Sequence, residues 1–282
     1  MSSKRGYIYL IWSRFFEKKT AVFALVFILV LIGVSFLYPL FSATQPDDIN
    51  VNKILLPPSS EHWFGTDALG RDVFARVMYG GRISLMVGFV SEGIAILIGI
   101  IIGSISGYFG GRIDNIIMRF TDIMLCFPVF FLILSVIAFI EPSIWNIMII
   151  IGLTGWMSVA RLVRAEFLSL REREFVLYER AIGNSDRKIM FKHILPNALN
   201  PVIVSAAFGI AGAILTETAL SFIGLGVQPP TPSWGNILTQ GKDILEIAWW
   251  ISLFPGLFIL LSVLCYNLIG EGLKDALNPR QY

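Results

Sequence analysis

Charge is scarce in this chain. Only 15% of its 282 residues are Asp, Glu, Lys or Arg and 55% are hydrophobic, against roughly 25% charged in soluble domains, and mean hydropathy is +0.72. Water is therefore not its main solvent. A net charge of +2 is too small to argue for a nucleic-acid partner. Cysteine is nearly absent: Cys126 and Cys265 lie in apolar runs without a metal-ligand neighbour, and read as small lipid-depth or core residues that are uninformative about redox compartment. Two histidines, His62 and His193, fall outside the apolar runs. No nucleophile–base pair or zinc-ligand spacing accompanies them, so an intramembrane enzyme has no catalytic residue and no metal ligand to name. A Gly-x-x-x-x-Gly-Lys-Ser/Thr segment is also missing, which excludes a phosphate-cradling loop of that kind.

What the chain has is apolar length. Thr20 to Phe41 is a run of about 22 uncharged residues, followed by runs at 83–106, 120–141, 144–160, 200–224 and 247–269. Most suffice to cross about 30 Å of hydrocarbon at 1.5 Å per residue. The first exceeds the 7–15 residues of a signal-peptide core and Ser42-Ala43-Thr44 is a poor cleavage site, so it is expected to be a retained helix. The expectation is an all-α membrane protein of about six transmembrane helices, with breaks at Glu141-Pro142 and in the Pro-rich 227–246. Residues 1–80 hold the first helix and a polar external segment, 81–272 the core with an interior loop at 161–199, and 273–282 a tail. An even count puts both termini on one side. Segments on that side carry seventeen Lys and Arg against five on the other, which predicts cytoplasmic termini. Trp145, Trp249 and Trp250 then fall at the outer surface as interfacial indoles.

Inside the runs, Gly99, Gly103 and Gly107 form a face of small residues that lets another backbone approach, in this chain or another. Pro128 and Pro255-Gly256 read as hinges or as static kinks. Of the ionisable groups at bilayer depth, Asp122 follows Arg119 by three residues and is expected to pair with it. Glu217, beside Thr216, Thr218 and Ser221, either lines an aqueous path or bonds another helix. Glu92 has no partner in its own helix.

The 161–199 loop carries eight basic and five acidic residues with Phe175, Tyr178 and Ile182 at helical spacing. It predicts two short helices. Gly183 ends the first in a left-handed conformation, Asn184 or Ser185 caps the second, and Pro196 closes it after Phe191, Ile194 and Leu195. Composition leaves open whether this elbow lies in a partner's groove or on anionic headgroups.

Ala181-Ile182-Gly183-Asn184-Ser185, followed by Ile189, Phe191 and Lys192-His193-Ile194-Leu195-Pro196-Asn197, resembles the cytoplasmic coupling loop of bacterial ATP-binding-cassette importer permeases. Aligned on Gly183, the family's Glu-Ala-Ala falls on Leu177-Tyr178-Glu179. A second stretch, His62-Trp63-Phe64-Gly65-Thr66-Asp67-Ala68-Leu69-Gly70-Arg71-Asp72 with Arg76, Gly80-Gly81-Arg82 and Ser84, is similar to the dipeptide, oligopeptide and nickel permease group. Physically, Asp67, Arg71, Asp72 and Arg76 are placed to pair or to cap the following helix, and His62 reads as a turn or interface residue. The likeness runs on through Gly107-Tyr108, Gly111, Asp114, Arg119, Asp122, Glu217, Leu220 to Gly226, Ser233-Trp234-Gly235 and Asn267 to Asp275, with Glu271, Lys274 and Asn278 where Asp, Arg and Asp are usual.

This resemblance implies a type I importer permease fold, multi-pass in a prokaryotic plasma (inner) membrane, non-catalytic, and without a cofactor of its own. Its implied partners are a second homologous permease, two ATP-binding subunits that hold ATP and Mg, an extracytoplasmic binding protein and the lipid bilayer. The coupling residues it implies are Phe175, Tyr178, Glu179, Ala181, Gly183, Ser185, His193 and Pro196. Gly65, Thr66, Asp67, Gly70, Arg71 and Asp72 are expected to be structural or gating, and Glu92, Glu217 and Asn267 are candidates for the translocation path. Peptide is the expected cargo, with nickel or its chelates and oligosaccharides as alternatives for the same machinery. An ion-coupled secondary carrier using Glu92 or Glu217 is the competing class.

Overall fold

The computed structural model describes residues 2–42, 44–141 and 143–277, with the side chains of residue 9 and of 11 onward. Ala43, Pro142, Asn278 and Arg280, together with the Lys4 and Arg5 side chains, lie outside the described residues. The described residues are mostly helical, joined by turns and loops of which 54–72 is the longest. The first helices are α1 (Ser2–Glu17) and α2 (Lys19–Phe41), followed by α3 (Val73–Phe109), α4 (Gly111–Cys126), α5 (Val129–Ile137) and α6 (Ile144–Leu170). After these come α7 (Glu174–Ala181), α8 (Asp186–Lys188), a π-helical turn (Ile189–Ile194), α9 (Leu195–Phe222), α10 (Trp234–Gly241) and α11 (Trp250–Leu277). Among the described residues, five stretches are long and apolar enough to span a bilayer, and a sixth arises if α4 and α5 count as one broken crossing.

Side-chain chemistry moves several expected boundaries. Helix α3 starts ten residues before its apolar run. Asp72 caps it by accepting from the Ala75 N–H at 2.8 Å, and its first turns pack on protein: Gly81 abuts Ser35 of α2 and Trp234 of α10. The expected division at 80/81 thus falls inside a helix, as does the tail expected from 273, since α11 runs to Leu277. The third crossing is no straight rod. Pro128 sits at its break, and α4 and α5 are bent by 82°, because proline lacks the N–H that would continue the ladder. Pro255 is carried inside α11 without a break.

The Gly99–Gly103–Gly107 face packs within the chain, on Val159, Ala160, Val163 and Phe167 of α6. This seam is the spine of the bundle. Asp122 pairs with Arg161 of α6 and not with Arg119, the side-by-side helices offering a closer cation than the helix's own surface. Trp250 is no interfacial indole: it is 5% exposed and donates to the Thr66 carbonyl at 3.1 Å. Trp145 and Trp249 are exposed.

Candidate functional site

Three regions carry the candidate residues. At one end of the bundle, 50–76 folds into a knot. Thr66 Oγ1 donates to the Lys53 carbonyl at 2.5 Å and accepts from the Leu56 N–H at 2.8 Å. Asp67 accepts from Arg71 Nε at 2.7 Å and from the Leu69 and Arg71 N–H groups, while Arg71 reaches Gln240 of α10 at 3.1 Å. Asp72 also meets His62 Nδ1 at 2.7 Å. Gly65 and Gly70 have φ of +73° and +72°, a region that strains other residues; a Cβ on Gly65 would stand 2.7 Å from the Trp250 indole. The knot fastens the head of α3 to α10 and α11.

Beneath it, Glu217 is fully buried and accepts from Ser221 at 2.6 Å and from Ser233 at 2.9 Å. Ser233 also caps α10 in a capping box with Asn236, and the Trp234 indole donates to the Val77 carbonyl at 3.0 Å. Glu217 therefore joins α9 to α10. The cause is angular. Successive residues on a helix are turned by about 100°, so Thr216 faces an open space while Glu217 faces protein.

That space is a cavity of about 520 Å³ between α3, α5, α6 and α9. Its walls include Ser91, Glu92, Ile133, Thr154, Ser158, Ser205, Phe208, Gly209, Gly212 and Thr216. Glu92 alone among the three path candidates lines it; Asn267, half-buried on α11, does not. Sequence reading passed over the α9 wall. Ser205, Gly209, Gly212 and Thr216 recur at a helical period, and that stripe of small residues on one face was the available signal. The hydroxyls of Ser91, Thr154 and Thr216 donate to helix carbonyls at 2.8–3.0 Å.

The elbow occupies the other end. Gly183 ends α7 with φ +79° and open space where a Cβ would stand, so backbone conformation, not crowding, calls for glycine there. Glu179 receives the Asn184 side-chain amide and lies 3.4 Å from His193 Nδ1. Ser185 is at the N-cap of α8 without a side-chain cap bond. Pro196 does not close a second helix. It lies in the first turn of α9, where proline's missing N–H costs least, and the helix passes through the π turn into the bundle. Val176, Ile189, Met190 and Ile194 are buried, whereas Phe175, Tyr178 and Ile182 are 40%, 64% and 56% exposed. Ala181 is exposed too. The elbow is tied to α3 by Tyr108, which donates to Asp186 at 2.5 Å and lies under the Arg180 guanidinium at 5.3 Å. Asp114 grips Arg164 through both oxygens, at 2.5 and 2.6 Å.

A bundle of membrane-length helices around an open cavity, with an apolar-ridged elbow beyond it, defines a transport permease. Residues 99–281 match the family of binding-protein-dependent transport system inner membrane components, and residues 6–58 match the N-terminal TM domain of oligopeptide transport permease C. The dipeptide transport system permease protein DppC of Alkalihalophilus pseudofirmus is 43% identical over 264 residues, 94% of this chain and 87% of that one. The oligopeptide transport system permease protein OppC of Haemophilus influenzae is 42% identical over 272 residues, 95% and 86% of the two chains. Among solved structures, the inward-facing MetNI methionine ABC transporter superposes with a TM-score of 0.59 at 17% identity, over 72% of this chain and 96% of that one, a likeness of fold. The chain belongs to the binding-protein-dependent transport system inner membrane component family.

Proposed function

We propose that this chain is the peptide-conducting permease subunit of an ATP-driven importer in a prokaryotic plasma membrane. The observation that carries the mechanism is continuity: α9 supplies one wall of the cavity and runs without a loop back into the elbow. Motion imposed on the elbow is motion of the cavity wall. The relatives named for dipeptide and oligopeptide transport support the cargo; nickel or its chelates and oligosaccharides are alternatives for the same machinery.

In this reading the termini and elbow are cytoplasmic. The exposed Phe175, Tyr178 and Ile182 lie in a groove of an ATPase subunit, with Glu179, Gly183 and His193 holding the elbow's shape. ATP and Mg reside in two such subunits, a second permease completes the path, and an extracytoplasmic binding protein delivers cargo. Nucleotide-driven closure draws the elbow inward and exchanges an outward opening for an inward one. This subunit performs no hydrolysis.

The test is uptake of trialanine by the complex containing this chain in proteoliposomes. Uptake should require ATP and the binding protein. Gly183→Val should uncouple hydrolysis from peptide delivery while the complex stays assembled; uptake indifferent to ATP and to Gly183 would establish an ion-coupled carrier instead.

A further inference from the structure

The cavity holds one feature that positioning does not explain. Glu92 is 9% exposed, it faces the cavity, and among the described residues it has no hydrogen-bond or ion-pair partner. No Lys, Arg or His lines the same space. Of the other acidic side chains buried in the described residues, Asp67 is paired with Arg71 and Asp114 with Arg164, while Glu217 accepts from two serines through Oε1, leaves Oε2 without a partner, and lies in a closed core away from the cavity. A carboxylate at bilayer depth without a counter-charge is costly, yet the fold makes room for this one. Its carboxylate rests on the backbone of Gly209, where a Cβ would overlap it. Gly212, one turn on, also has open space in front of it. The seat is built, and among the described residues nothing offers the carboxylate a counter-charge.

We propose that Glu92, seated on Gly209, receives the positively charged group of the cargo: a primary ammonium such as a peptide's amino terminus. The volume, about 520 Å³, suits a small organic molecule and not a single ion, and the other polar groups on the walls are neutral hydroxyls and backbone, which leaves the carboxylate as the one charged acceptor for an ammonium. This assignment rests on the peptide reading above and adds to it that the conduit itself, apart from the binding protein, discriminates by charge.

The test separates the two. The assembled complex in detergent is treated with a hydrophobic carbodiimide, and labelling of Glu92 is followed by mass spectrometry with trialanine or with propionyl-Ala-Ala, which has the same shape without the amine. Trialanine should protect Glu92 at a concentration about tenfold lower, the scale of one charge-assisted hydrogen bond. Gly209→Ala, which displaces the carboxylate, should erase that difference. Equal protection by the two probes, or protection by sodium chloride alone, overturns the proposal. In uptake assays with the same binding protein, Glu92→Gln should lower the trialanine to propionyl-Ala-Ala rate ratio by about tenfold, and an unchanged ratio overturns it. A complex that imports trialanine but protects equally keeps the importer and loses the site. One that protects selectively without importing trialanine loses the importer and keeps the site.

Discussion

Single residues divide here into those that hold the scaffold and those that face open space, and the division cuts across chemical type. Glu92 and Glu217 have the same side chain at membrane depth, one against a cavity and the other accepting two serine hydroxyls in a closed core. Glu217→Gln keeps a carbonyl acceptor for those hydroxyls and should retain both assembly and uptake. Glu217→Leu strands two buried donors at about 1–3 kcal/mol each. A thermal melt of the purified complex should show it as a clear loss of stability, and wild-type stability in the Leu variant would remove the scaffold role. Sequence could name both glutamates because carboxylates in apolar runs are conspicuous. Ser221 already stood beside Glu217 in the sequence, but Ser233, sixteen residues away, gave no sign of itself, and Gly209 has no side chain to draw attention.

At the scale of elements, the α3–α6 seam decides the bundle. A Cβ at Gly103 would come within 2.5 Å of the Ala160 carbonyl, whereas Gly33 on α2 has nothing within 4 Å. Gly103→Val should therefore cost about 1–3 kcal/mol or prevent assembly, and Gly33→Val should leave the melting temperature near wild type. Equal effects would mean the seam is not close-packed. The glycine repeat announced this contact, but its partner helix was not legible, because α6 shows no complementary pattern beyond ordinary Val and Ala. Apolar length located each crossing. It failed at the head of α3, where Arg76, Gly80, Gly81 and Arg82 interrupt hydropathy although Asp72 already starts the helix, and at Asp122, whose partner lies on another helix. Gly183 was readable as a stop because only its positive φ matters. Pro196 misled because a π turn precedes it.

For the whole molecule, the elbow and the knot mark opposite ends of the bundle, joined by the full length of α3. Topology should follow. In whole cells, cysteine introduced at Glu61 should react with a membrane-impermeant maleimide from outside, and cysteine at Tyr178 only after the membrane is opened. The native Cys126 is exposed and Cys265 buried, so both are first replaced by serine. Labelling of both positions from outside would contradict cytoplasmic termini. Length and hydropathy made the architecture readable at this scale, while the cavity, an empty volume shared by four helices, leaves only the small-residue stripe of α9 as a linear trace.

The π turn at Ile189–Ile194 gives the elbow and the cavity wall a fixed angular phase. Each such turn holds one residue more than an α turn, and one residue is worth about 100° of rotation. The six-residue turn thus sets the azimuth at which the ridge of Phe175, Tyr178 and Ile182 stands relative to Gly209. Loops near the membrane can lengthen or shorten freely, but here the spacing is a matter of timing between two faces, and a change of one residue would put them out of step.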